Sequence, residues 1–70
     1  MEFEWEPGFA INVSIDAACQ SVLISANKAG LLSLANHLRA LATEEAPAHF
    51  HLDKWNSLED GSCELIIEQI

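Results

Sequence analysis

The chain has 70 residues, the size of one small domain, and half of them are hydrophobic. Eleven acidic residues against three basic residues give a net charge of −8. Nucleic acids and anionic membranes are both bound through clusters of basic side chains, which this chain lacks. We therefore expect a single folded domain over residues 1–70 that binds neither nucleic acid nor membrane.

The N-terminus and the short apolar runs predict a cytoplasmic protein. The chain starts Met1-Glu2-Phe3-Glu4, without the basic start and apolar core of a signal peptide, and no run approaches the length of a membrane helix. Cys19 and Cys63 are too few for a disulfide framework, so we expect two free thiols, with a single bridge between them as the alternative.

Three strands are predicted before the first helical pattern. Residues 2–6 alternate aromatic residues with glutamates, and residues 9–15 alternate apolar with small or polar residues. This period of two is typical of half-buried strands. Pro7-Gly8 predicts a turn between them, so the first two strands should form a hairpin. Residues 20–26 continue the same alternation as a third strand.

From Lys28 the apolar period changes to 3.6 residues, which predicts an amphipathic helix. Asn27 is placed to cap its start, and Ala46-Pro47 should end it, because the residue before proline disfavours the helical conformation. His37 lies at the edge of the apolar stripe and should pack against the sheet. The predicted buried stripe is Leu31, Leu34, Ala35, Leu38, Leu41 and Ala42. The predicted outer face is Ser33, Asn36, Ala40, Thr43 and Glu44.

Two more strands are predicted at residues 48–53 and 63–69. Asp60-Gly61 favours a tight hairpin turn, but a two-residue turn there would oppose like charges and pair apolar residues with polar ones. We expect a longer loop over residues 54–62 instead. The expected register keeps the apolar residues of the two strands together, with Phe50 and Leu52 beside Leu65 and Ile67.

The order β-β-β-α-β-β predicts an α+β fold, with one antiparallel sheet of about five strands and one amphipathic helix packed on one face. The other face would be uncovered. It would carry Glu64, Ile66, Glu68, Ile70 and Leu23 beside His49 and His51. Several large apolar residues together on so small a surface indicate a contact surface, so a homodimer through this face or an edge strand is one expectation.

His49, His51 and Asp53 share one strand face at a spacing of two, and either Glu64 or Glu68 should lie close by. Two imidazoles and a carboxylate are a ligand set that zinc hydrolases use. However, any two polar residues on the wet face of a strand have this spacing, so solvated histidines are the competing interpretation. There is no nucleophile elbow and no glycine-rich phosphate loop. We predict no enzyme, no metal site and no cofactor.

The loop over residues 54–61 combines Trp55 and Leu58 with acidic residues. Its apolar side chains can fold onto the core, or Trp55 can serve as an anchor for a partner. We predict a protein partner. The candidate partner-binding residues are Trp55, Asp53, Glu59, Asp60, His49, His51, Glu64 and Glu68.

Between about residues 22 and 69 the sequence resembles the immunity protein 32 family, small bacterial proteins assigned to polymorphic toxin systems. The stretches that carry the resemblance are GLLSLANHL (30–38), Leu41-Ala42, HFHLD (49–53), NSL (56–58) and ELIIE (64–68). The resemblance implies a protein that is not an enzyme and that binds and silences a toxin made by the same cell. Many such toxins are basic nucleases, and a charge of −8 would steer this chain toward a basic partner.

Two other hypotheses are compatible with the sequence. The alternative function is a homodimeric structural or regulatory module that uses its open sheet face for self-association and has no toxin. The third is a metal site at His49 and His51 with enzymatic activity.

Overall fold

A computed structural model describes residues 3–70. The elements in chain order are β1 (Ile11–Asp16), β2 (Ser21–Ala26), α1 (Lys28–Ala42), β3 (Ala48–Leu52) and β4 (Leu65–Gln69). The α+β class is confirmed. The single sheet of five strands is wrong, because β1 pairs only with β2 and β3 only with β4, in two antiparallel sheets of two strands each.

Residues 3–10, here called the N-terminal segment, form no strand, so the predicted first hairpin is wrong. The segment lies along α1 instead. The Glu6 N–H donates to Ser33 Oγ at 2.8 Å, and Asn36 Nδ2 donates to the Glu4 carbonyl at 3.2 Å. Polar side chains of α1 thus form hydrogen bonds with backbone groups of the N-terminal segment that would bond to a neighbouring strand in a sheet. Glu2, where the predicted strand began, lies outside the described residues.

The second and third predicted strands correspond to β1 and β2, which pair with each other from Ile11 opposite Ala26 to Asp16 opposite Ser21. The Asp16 carboxylate organises the turn between them by accepting hydrogen bonds from the Ala18 and Cys19 N–H groups. Hydrogen bonds from Cys19 and then Ala18 hold the pKa of Asp16 below its ordinary value.

Asn27 caps α1 as predicted, because its Oδ1 accepts from the Gly30 N–H at 2.8 Å. The helix ends at Ala42, ahead of the predicted end at Ala46-Pro47.

The buried face of α1 is rotated from the predicted one, because Leu31 and Leu38 are 56% and 47% exposed. The buried residues are Gly30, Ser33, Leu34, His37 and Leu41. Ser33 tolerates burial because its hydroxyl accepts from the N-terminal segment and donates to the Ala29 carbonyl.

The predicted register of β3 and β4 is confirmed, with Phe50 opposite Ile67 and Leu52 opposite Leu65. The long loop between them is also confirmed, with a turn at residues 60–61. This loop joins the two sheets, because its Glu59 and Cys63 N–H groups donate to carbonyls of β1. The second edge of β1 is therefore covered by the loop.

The core lies where α1, both sheets and the loop meet. Its buried apolar residues are Ile11, Val13, Leu34, Leu41, Phe50, Leu52 and Leu58. Cys19 and Cys63 are both free thiols. Within residues 3–70, no helix has the length and apolar character that a membrane crossing requires.

His37 is fully buried among aromatic rings rather than at the edge of the helix stripe. Its ring centroid lies 4.1 Å from that of Trp5, 4.5 Å from Phe3 and 5.8 Å from Phe50. Neither ring nitrogen has a hydrogen-bond partner among the described residues. Burial lowers the pKa of His37, because the charged imidazolium would lose its hydration without gaining a partner.

This burial predicts a loss of stability in mild acid. Above the unfolded-state pKa of about 6.5, His37 is neutral in both states. Below this pH, the unfolded chain binds a proton at His37 that the folded protein does not bind. The free energy of unfolding therefore falls by up to about 1.4 kcal/mol for each pH unit. The fall ends at the lowered pKa of His37 in the folded protein. Urea unfolding of the wild type and His37→Phe between about pH 5 and 7.5 measures this slope.

We expect His37→Phe to reduce the slope, and His49→Gln, at an exposed histidine, to retain it. Equal slopes in the wild type and His37→Phe would contradict the assignment.

Candidate functional site

The outer face of the β3–β4 sheet is exposed and carries both strand histidines. Phe50 and Leu52 point into the core, so His49 and His51 project from the opposite side of β3. Across the strands, His49 lies opposite Glu68 and His51 opposite Ile66, which is 52% exposed. We call this surface the histidine face: His49, His51, Glu64, Ile66 and Glu68.

The side chains of the histidine face interact weakly with one another. The rings of His49 and His51 are 4.9 Å apart at 66°, and His51 Nδ1 lies 3.6 Å from Glu64 Oε2. Both partners of this pair are about half exposed, so it contributes at most about 1 kcal/mol. These groups therefore remain available to an incoming partner at little cost in stability.

Asp53 does not join the histidines, because β3 ends at Leu52 and the Asp53 carboxylate turns back into the loop. Its Oδ1 accepts from the Trp55 N–H at 2.9 Å and the Asn56 N–H at 3.1 Å. Within residues 3–70, no group of three or more His, Cys, Asp or Glu residues is arranged to hold a metal ion. The predicted proximity of Asp53 to the two histidines is thus wrong, and its role is to shape the loop.

Asn56 fixes the start of the loop to the end of β3. Its Oδ1 accepts from the Asp53 N–H at 2.9 Å, while its Nδ2 donates to the His51 carbonyl at 3.1 Å. The Asp53 carbonyl also accepts from the Leu58 N–H at 2.8 Å. This network gives the loop a defined shape and fixes its start at the end of β3.

The two apolar side chains of the loop point in opposite directions. Leu58 is 5% exposed and belongs to the core, whereas Trp55 is 85% exposed. Lys54 Nζ lies 4.9 Å from the Trp55 ring centroid, in the range of a cation–π contact. A tryptophan held out by an ordered loop leaves a large apolar surface in water, which is typical of an interface anchor.

The loop and the histidine face both carry exposed acidic residues. Glu59 and Asp60 are exposed in the loop, and Glu64 and Glu68 are exposed on the histidine face. Lys54 is the basic residue of this region, since the other two, Lys28 and Arg39, lie on α1. We call the histidine face together with Trp55, Glu59 and Asp60 the acidic surface.

The model of the family described as Immunity protein 32 matches residues 21–70, more than two thirds of the chain. This chain belongs to the immunity protein 32 family. The resemblance expected from the sequence is therefore confirmed. Neither a curated protein nor a solved structure matches the chain.

The part of the chain that matches the immunity protein 32 family holds β2, α1, β3, β4 and the whole acidic surface. The N-terminal segment and β1 lie outside the matched range, although Ile11 and Val13 of β1 are almost fully buried. Ile66, which the sequence analysis placed on the uncovered face, joins the candidate partner-binding residues. Its alternation with Glu64 and Glu68 is the sequence feature that places it on the same face.

A concave feature lies apart from the acidic surface. It is a shallow cavity of about 280 Å³ between the N-terminal segment and α1, lined by Glu4, Asn36, Arg39, Ala40 and Thr43. It shares no residue with the acidic surface and contains one charge of each sign, so it does not complement a strongly basic partner.

Proposed function

We propose that this member of the immunity protein 32 family binds and neutralises a basic toxin through its acidic surface, without catalysis, in the cytoplasm of the bacterial cell that makes both. The observation that carries the proposal is Trp55, 85% exposed on an ordered loop that also carries the exposed acidic residues Glu59 and Asp60. Membership of the family supports a toxin as the partner.

The charge distribution supports a basic partner. Complementary fields steer encounter and raise the association rate, and they do so less as salt increases. Glu59, Asp60, Glu64 and Glu68 supply the negative field, while Trp55 and Ile66 supply apolar surface within it. Asp53 contributes indirectly, because its hydrogen bond to the Trp55 backbone holds the loop in place.

The same charges disfavour self-association through the histidine face. Two copies related by a two-fold axis would bring Glu64 and Glu68 of each copy near those of the other. Like charges in close opposition are destabilising. The exposed acidic surface therefore fits a basic protein better than a second copy of this chain.

The proposal is tested by mixing the purified protein with the product of the neighbouring toxin gene and measuring Kd and the association rate constant at rising salt. We expect binding at low salt that weakens as salt is added. The double variant Glu64→Gln/Glu68→Gln should slow association by about three- to tenfold, because it removes two charges from the steering field.

The matched control is Glu4→Gln/Glu45→Gln, which removes two exposed charges outside the acidic surface. This control should keep most of the wild-type association rate. Absence of binding at low salt would refute the toxin-binding function. Equal losses in the two double variants would refute the assignment to the acidic surface.

A further inference from the structure

Charge is segregated along this chain. All eleven acidic residues lie outside residues 17–43, a stretch that contains Lys28 and Arg39, two of the three basic residues. The stretch comprises β2 and α1. The region around β2 is therefore the part of the molecule that a second, equally acidic copy can approach with the least repulsion.

The outer edge of β2 has no strand beside it among residues 3–70. β2 pairs with β1, and the other edge of β1 is covered by the loop through Glu59 and Cys63. An unpaired edge presents backbone N–H and C=O groups to any strand that can reach it. A sheet of two strands is also marginal on its own, and gains stability when further strands are added.

The sequence of β2, Ser21–Ala26, has none of the usual protections of an edge strand. It contains no charged residue, no proline and no glycine. Val22 and Leu23 are each 60% exposed and Ile24 is 40% exposed, so apolar side chains lie uncovered on both faces of the strand. Ile15, which pairs with Val22, is 60% exposed on the same face and enlarges this surface.

We propose that β2 pairs antiparallel with β2 of a second copy of this chain, joining the two β1–β2 sheets into one sheet of four strands. A two-fold axis gives two identical strands the same length and opposite direction, as antiparallel pairing requires. The pairing places no acidic side chain of β2 against its copy, and it gives Val22, Leu23 and Ile24 cross-strand neighbours. A basic toxin is the poorer occupant of this edge, because β2 itself carries no acidic residue to complement it.

The dimer leaves the acidic surface free. That surface lies on β3, β4 and the loop between them, none of which takes part in the pairing. The dimer thus carries two acidic surfaces, and its existence does not depend on the proposed toxin.

The test is sedimentation equilibrium of the full chain from about 1 to 500 µM, because the dimer fraction rises with concentration by mass action. We expect the wild type to reach twice the monomer mass of 7.7 kDa. Val22→Lys should weaken dimerisation by roughly tenfold or more, since the substitution occurs twice at a two-fold interface.

The matched control is Ile66→Lys, which makes the same kind of change at a 52% exposed strand position on the histidine face and should leave the dimer intact. Circular dichroism checks that the variants fold. If Val22→Lys does not fold, Leu23→Lys, on the other face of β2, replaces it. A wild type that stays monomeric throughout would overturn the proposal. The proposal would also be overturned if Ile66→Lys dissociated the dimer, or if neither β2 variant weakened it.

Discussion

A Gly30→Ala substitution is expected to lower the free energy of unfolding by about 2 kcal/mol, although alanine is the better helix former. Gly30 is buried in the first turn of α1. A Cβ at this position would lie 2.5 Å from the Ala10 carbonyl oxygen and 3.0 Å from atoms of both Ala26 and Ile11. The added methyl group therefore meets the backbone of the N-terminal segment at Ala10 and side chains of β1 and β2.

The magnitude follows from two opposing effects. Replacing glycine by alanine within a helix gains up to about 1 kcal/mol. Overpacking costs up to about 3 kcal/mol, and the full cost applies where the neighbouring atom is a backbone carbonyl that cannot rotate away. The Ala10 carbonyl also accepts from the Asn27 N–H at 3.1 Å, so moving it disturbs the start of the helix. In a protein whose core supplies about 3–5 kcal/mol, the loss is severe.

Urea unfolding measures this effect against Leu31→Ala. Leu31 is the next residue along the helix and is 56% exposed, so its truncation should change stability by about 0.5 kcal/mol or less. A Gly30→Ala protein as stable as the wild type, or more so, would show that α1 can move away from β1 without loss. The close approach of helix and sheet would then not determine stability.

Local patterns in the sequence predicted most of the elements and the pairing of β3 with β4, but not the rotation of α1 or the division into two sheets. The alternation in β1 to β4 and the Asn27 cap depend on near neighbours, and the β3–β4 register follows from keeping Phe50 and Leu52 beside apolar partners. The rotation of α1 depends on Gly30, whose lack of a side chain sets the contact with β1. That contact joins residues distant along the chain, so no periodicity within the helix reveals it.

The N-terminal segment shows why alternation alone misleads. Phe3 and Trp5 alternate with glutamates as they would in a strand, and they do face inward, against His37. The backbone partners, however, are Ser33 and Asn36 side chains rather than a neighbouring strand. An extended segment beside a helix and a strand in a sheet have the same period, and only the tertiary partner distinguishes them.

The sequence likewise predicts one part of the candidate site, the histidine face, but not the other, the loop. The histidine face could be predicted, because β3 alternates regularly and His49 and His51 must lie opposite the buried Phe50. The loop could not be assigned, since its composition allowed Trp55 to pack inward or outward. The outcome depends on the Asp53 and Asn56 hydrogen bonds, and on Leu58, which enters the core and leaves Trp55 outside.

Trp55→Ala is expected to weaken binding of the proposed toxin by roughly thirtyfold, which corresponds to about 2 kcal/mol, the range of an interface hot spot. The free protein should keep its stability, because Trp55 is 85% exposed. A partner that covers the indole would remove a large apolar surface from water, which is the contribution of an interface anchor.

The measurement is a pair of titrations, with binding followed by calorimetry and stability by urea unfolding, on Trp55→Ala and Leu31→Ala. Leu31 is 56% exposed on α1, outside the acidic surface, so the control also truncates an exposed apolar side chain but should leave the toxin affinity unchanged. Asp53→Ala should reproduce part of the Trp55→Ala loss, because it removes the acceptor of the Trp55 N–H while leaving the indole in place. Unchanged toxin affinity in Trp55→Ala would place the binding energy elsewhere on the acidic surface. A loss of affinity accompanied by an equal loss of stability would show instead that the indole supports the fold.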